Sequence, residues 1–143
     1  MPFVAEASCS IAVAPEIAFD RLAHHPSWKN WMPRSFVPVS RARGALRVGD
    51  RVRMRIAGAP VAAVIEVTVV DRPREITWRG GVGRLLHAEH RFLFESDGQG
   101  GTRVRSVETW RGALAAVLRP FVKPVAERVG AEQLSGLALA CSS

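Results

Sequence analysis

Tyrosine is absent from this chain, only two of its 20 basic residues are lysines, and it holds two cysteines. Without tyrosine, a binding pocket loses one common hydrogen-bond donor, which leaves arginine, tryptophan, serine and histidine for that role. Cys9 falls on the apolar face of the first strand and Cys141 near the carboxy end. Two thiols so placed give neither a disulfide framework nor a metal-binding spacing, and both are expected to be free. No apolar run reaches the roughly 18 residues of a spanning helix, and the amino end lacks the basic, apolar, small-residue order of a signal peptide. The expected compartment is the cytoplasm, with no transmembrane segment. His24 and His25 are consecutive and no His-x-x-x-His pattern occurs, so no metal and no cofactor are expected. Asp97-Gly-Gln-Gly-Gly101 and Gly80-Gly-Val-Gly83 lack the strand-to-helix context of a phosphate loop and read as turns.

The chain has 143 residues, 48% of them hydrophobic and 23% charged. That balance predicts a single globular domain over 1–143 with a core large enough to need no disulfide or metal. The net charge is +7. Lys29 and Lys123 are the lysines, and many arginines alternate along strands, as in Arg51, Arg53 and Arg55, or Arg103 and Arg105. Alternation places each set on a solvent-facing sheet surface. Nucleic acid is therefore not the expected partner, while weak docking on an anionic surface through this face stays open. Oligomeric state is not legible.

Phe3, Ala5, Ala7, Cys9, Ile11 and Val13 alternate with polar residues, which predicts a strand with one buried face. Pro15 and Glu16 suit the first turn of a helix carrying Phe19, Leu22 and Ala23, and His24-His25-Pro26 closes it. Ser27 is placed to cap a second short helix over 28–32, where Trp28 and Trp31 share a side. Period-two patterns then predict strands over 36–43, 51–57, 61–70, 75–79, 86–95 and 102–110. Apolar residues from Leu114 to Leu137 recur at three and four. Pro120 and Pro124 predict a kinked lead-in, with the regular helix over about 124–140.

The hairpin from Leu86 to Trp110 carries polar groups on its apolar face. Ala88, His90, Phe92 and Phe94 share one side, as do Val104, Ser106, Glu108 and Trp110. Each buried polar group needs a partner, because leaving one unpaired costs roughly 1–3 kcal/mol. His90 and Glu108 can meet as an acid–base pair, or they can serve only to satisfy one another and orient a ligand. A one-residue slip in register would instead turn His87 and Glu89 inward, with Arg91 following. Ser106 superficially completes a triad, but no Gly-x-Ser-x-Gly elbow or helix start stands behind it, and it is not read as a nucleophile.

Ser10-Ile-Ala-Val-Ala-Pro-Glu-Ile-Ala-Phe19, Trp28-Lys-Asn-Trp-Met-Pro33 and Gly101-Thr-Arg-Val-Arg-Ser-Val-Glu-Thr-Trp-Arg-Gly112, taken in order, resemble the SRPBCC superfamily of START-like helix-grip proteins, including the polyketide cyclase/dehydrase-like members. The resemblance covers nearly the whole chain. It implies an α+β helix-grip fold: a curved seven-stranded antiparallel sheet wrapped around a long carboxy-terminal helix, with two short helices after the first strand. It also implies an internal cavity between sheet and helix. Projected into it are Val52, Met54, Ile56, Ile65, Val67, Ile76, Trp78, His90, Phe92, Ser106, Glu108 and Trp110, with Val129 and Leu137 from the helix. The expected function is binding or carriage of a hydrophobic or amphipathic small molecule. The alternatives are a polyketide cyclase or dehydratase that uses His90 and Glu108 as its acid–base pair, and a basic module docking on an anionic partner.

Overall fold

Alternation of apolar and polar residues carries most of this chain into strands, and one long amphipathic segment supplies the helix that covers them. A computed structural model of the protein describes residues 2–33, 36–38, 44–56 and 63–142. Strand β1 (Phe3–Ile11) buries Phe3, Ala5 and Ile11. Helix α1 (Pro15–Ala23) follows, with Pro15 in its first turn and Ala18, Phe19, Leu22 and Ala23 buried. A 3-10 turn (His25–Ser27) leads into the single-turn α2 (Trp28–Trp31). Ser27 was expected to cap α2, but its hydroxyl donates to the His24 carbonyl at 2.8 Å and accepts from Trp31 Nε1 at 3.1 Å. It braces the turn, since Ser27 is itself already in helical conformation.

The remaining strands are β2 (Phe36–Pro38), β3 (Arg51–Ile56), β4 (Ala63–Asp71), β5 (Glu75–Val82), β6 (Leu86–Ser96) and β7 (Thr102–Arg111). They pair antiparallel in the order β1-β7-β6-β5-β4-β3-β2. Six strands of six residues or more make the sheet, while β2 is a three-residue segment on the edge of β3. The rest of the strand expected over 36–43 lies outside the described residues, as do Ala57 and residues 61–62.

Two expected boundaries are corrected. β5 does not stop at Arg79 but runs through Gly80 and Gly81 to Val82, and the turn falls at 83–85. Gly81 permits this: it sits at φ 138°, and a side chain there would collide with the Leu86 carbonyl and His87 of β6. The carboxy-terminal helix α3 (Ala115–Cys141) starts nine residues ahead of Pro124 and includes both prolines. Pro120 and Pro124 leave the carbonyls of Ala116 and Pro120 without intrahelical donors, and both residues are exposed, a position in which solvent can supply the missing donor.

α3 packs along β1 and β7, with α1 and α2 against its other flank. Its buried face consists of Ala115, Val129, Gly130, Gln133, Leu134 and Leu137. Two glycines set the closeness of this contact. A side chain at Gly136 would run into the Trp31 carbonyl of α2, and one at Gly130 would stand 3.2 Å from Ser106 Oγ on β7.

Candidate functional site

Strand pairing lays the apolar-face residues out in transverse rows. Ala5, Glu108, His90, Trp78 and Val67 are successive partners across β1, β7, β6, β5 and β4. The row on one side reads Ala7, Ser106, Phe92 and Ile76. The row on the other reads Phe3, Trp110, Ala88, Gly80, Ile65 and Val52. His90 therefore faces Glu108 directly and has Ser106 and Trp110 as its diagonal neighbours on β7. Side chains of those lengths reach one another at such positions. His87 and Glu89 are exposed, so the register that turns His90 inward is the one adopted.

These positions produce one continuous chain of hydrogen bonds. Trp110 Nε1 donates to Glu108 Oε1 at 2.6 Å, and His90 Nδ1 lies 2.9 Å from Glu108 Oε2. His90 Nε2 lies 2.6 Å from Ser106 Oγ. With Glu108 ionised, the arrangement calls for the proton on Nδ1, leaving Nε2 to accept from the Ser106 hydroxyl. Aromatic rings enclose the imidazole: Phe92 stacks on it at 4.2 Å and Trp78 meets it edge-on at 5.5 Å. His90 and Ser106 are buried, while Glu108 and Trp110 are half-buried.

Val52, Met54, Ile65, Val67, Ile76, Trp78, Phe92, Val129 and Leu137 all enter a single buried cluster. The Ile56 side chain lies outside the described residues. At the His90 row the face is filled by packed rings, because Trp28, fully buried, covers Trp78 at 5.4 Å and donates its indole N–H to the Leu22 carbonyl at 2.8 Å. Trp110 turns toward the sheet edge and stacks on Phe3. The open part of the face is the adjoining row, where Ala88 and Gly80 are small and half-exposed beside Glu108 and Trp110. A separate shallow cleft of about 200 Å³ runs between β1 and β7, lined by Glu6, Ser8, Arg103, Arg105 and Val107 together with Ala7 and Ser106. Its outward-facing charged residues make it polar.

Ser106 was set aside as a nucleophile, and the geometry gives a reason beyond the missing elbow. The α3 backbone at Gly130 closes over its hydroxyl, so the oxygen serves His90 and has no open approach. Two interior polar groups escaped the sequence reading. Gln133 is 2% exposed, and neither its amide nitrogen nor its oxygen has a hydrogen-bond partner among the described residues. The signal was present, because Gln133 sits four residues after Val129 and four before Leu137, squarely on the apolar stripe. His25 is likewise buried with both ring nitrogens unpartnered among the described residues. Burial pushes its pKa down, and the Asp50 carboxylate opposes that only in part. Both cysteines are free, and burial pushes their thiols up, away from nucleophilic character. Among the described residues, no three His, Cys, Asp or Glu side chains gather as a metal site, and no helix is long and apolar enough to cross a membrane.

No curated protein matches the chain. Solved structures do: a protein from Thermus thermophilus is 23% identical over 99% of this chain and 100% of its own, with a TM-score of 0.70. The Zhui aromatase/cyclase from Streptomyces sp. R1128 is 14% identical over 99% and 94%, with a TM-score of 0.74. Norcoclaurine synthase from Thalictrum flavum, solved as a point mutant with a transition-state analogue, is 12% identical over 100% and 98%, with a TM-score of 0.76. At these identities the likeness is one of fold, a sheet gripping a long terminal helix. The sequence model described as "Polyketide cyclase / dehydrase and lipid transport" matches residues 2–140, and the chain belongs to that SRPBCC family.

Proposed function

We propose that this protein binds a hydrophobic or amphipathic small molecule against the apolar face of its sheet, at the half-exposed row beside Glu108 and Trp110. The observation that carries this reading is the hydrogen-bonded chain from Trp110 through Glu108 and His90 to Ser106, set among aromatic rings. Small residues at Ala88 and Gly80 leave room next to it. Ligands of this kind are held by an apolar lining with a few placed polar atoms.

Native mass spectrometry of gently purified protein, before and after solvent extraction, tests the reading. The expected result is a reproducible added mass that extraction removes. A bare chain from several expression hosts, with no apolar compound taken up afterwards, would overturn it.

The second reading is enzymatic, and the 2.9 Å contact between His90 and Glu108 favours it. A carboxylate fixed on one imidazole nitrogen is the arrangement that poises a histidine for proton transfer. In a cyclase or dehydratase of that kind, the pair would take a proton from a carbon acid and return it to a leaving oxygen. Glu108→Gln separates the two readings. An enzyme keeps ligand uptake and loses turnover by about 100-fold or more, as expected for a general acid–base group. A carrier changes only in affinity.

A further inference from the structure

The chain of hydrogen bonds from Trp110 to Ser106 has a direction, and that direction limits what the site can accept. Trp110 Nε1 can only donate, and it donates to Glu108 Oε1 at 2.6 Å. His90 Nδ1 and Glu108 Oε2 are 2.9 Å apart, and the proton of that contact lies between them whichever atom carries it. The other imidazole nitrogen, Nε2, is taken by Ser106 Oγ at 2.6 Å. Ser106 is 2% exposed and His90 4%, and the α3 backbone at Gly130 closes over the serine. Every N–H and O–H of the network is thus used or shut in.

Glu108 is the outlet. Its side chain is 17% exposed, beside the half-exposed row. A carboxyl group has about four lone-pair positions, and the contacts to Trp110 and His90 leave some of them free. Those positions accept and cannot donate. The rest of the row, Phe3, Ala88, Gly80, Ile65 and Val52, brings no hydrogen-bonding side chain. Gly130 stands by Ala7 and the Leu134 carbonyl by Cys9, so α3 advances along β1 from its Phe3 end toward Ile11. The Gln133 amide therefore lies past the Ser106 row, on the side away from the opening. Lys123, half-buried, stands about two turns ahead of Gly130, yet the ion contact of Glu108 is with His90.

We infer that the ligand is an apolar body bearing a hydrogen-bond donor, a hydroxyl or amino hydrogen, which it gives to the free lone pairs of Glu108, and that free carboxylic acids and donor-less analogues are disfavoured. This rests on the binding reading above. An acid sets its carboxylate against that of Glu108 with no hydrogen between them. An ether of the same shape strips water from Glu108 and returns nothing, and a desolvated acceptor left unpaired is the costly case.

Calorimetric titration of the full chain near neutral pH with naphthol, methoxynaphthalene and naphthoate, substituted at the same ring carbon, tests this. The three share one apolar body and differ in whether they donate. We expect naphthol to bind at least tenfold tighter than the other two. Ala88→Leu, which fills the row, should remove that binding. Glu108→Gln puts an N–H where a free lone pair stood and should bring the three within about threefold of one another, with thermal unfolding reporting that the variant is folded. Methoxynaphthalene bound by the parent as tightly as naphthol would overturn the inference and leave the binding reading standing. Naphthoate bound tightest, with that preference lost in Lys123→Met, would also overturn it and assign the polar end to the cation on α3. No uptake of any of the three, together with a bare chain in native mass spectrometry, would sink the binding reading and this inference with it.

Discussion

His25 gives the protein a defined sensitivity to acid. Its ring packs edge-on against Trp28 at 4.6 Å, is 3% exposed, and finds no partner for either nitrogen among the described residues. Burial holds its pKa below the ordinary 6.5, so the unfolded chain takes up a proton at a pH where the folded chain still refuses it. The associated stability is complete above about pH 6.5 and is lost as the pH falls from there toward the lower folded value. We expect the urea midpoint of the parent to drop between pH 7 and pH 5, and His25→Phe to flatten that dependence. An unchanged slope in the variant would place the titration elsewhere. His90 contrasts with His25 at the same scale: both are buried against tryptophan, but His90 has a hydrogen-bond partner on each nitrogen.

Among the elements, α3 decides how tightly the molecule closes. Its glycines are contact surfaces: Gly136 admits the Trp31 backbone and ring, and Gly130 admits the Ser106 hydroxyl. Alanine is favoured over glycine within a helix by roughly 1 kcal/mol, so each substitution sets a propensity gain against a steric loss. At Gly136 the neighbour is a backbone carbonyl that cannot rotate away, and the loss wins. We expect Gly136→Ala to destabilise by about 1–3 kcal/mol, read as a lower denaturant midpoint at unchanged slope. An increase in stability would mean that α2 yields. Most strands were legible because period-two alternation runs along 51–111, but the turn residues at Gly80 and Gly81 hid the end of β5, and alternation put His90 with Phe92 and Ser106 with Glu108 on shared faces without fixing which face turns inward. The start of α3 was not legible. Proline's cost in a helix depends on whether the freed carbonyls meet water, and that depends on which side of the finished molecule they face.

The molecule as a whole is a sheet whose covered face combines a closed aromatic cluster with a half-exposed row. A ligand seated there and absent from the unfolded chain stabilises by mass action, about 2.7 kcal/mol at a hundredfold excess over its Kd. We expect protein carrying an extractable ligand to unfold several degrees above its extracted form and to recover on re-addition of the extract. Identical melting of the two forms would mean that whatever is extracted does not bind the folded state. The sequence by itself determined the order of elements and the shared face of His90 and Glu108, because these depend on local periodicity, while it left the register open between His90 inward and the alternative with His87 and Glu89 inward. Only the tertiary structure decided the rest. It placed Ser106 on the second nitrogen of His90, Trp110 on the second oxygen of Glu108, Trp28 over Trp78, and the Gln133 amide inside. Those contacts run along sheet diagonals and between elements far apart in the chain, where strand twist and helix placement set the distances, and no local pattern encodes either.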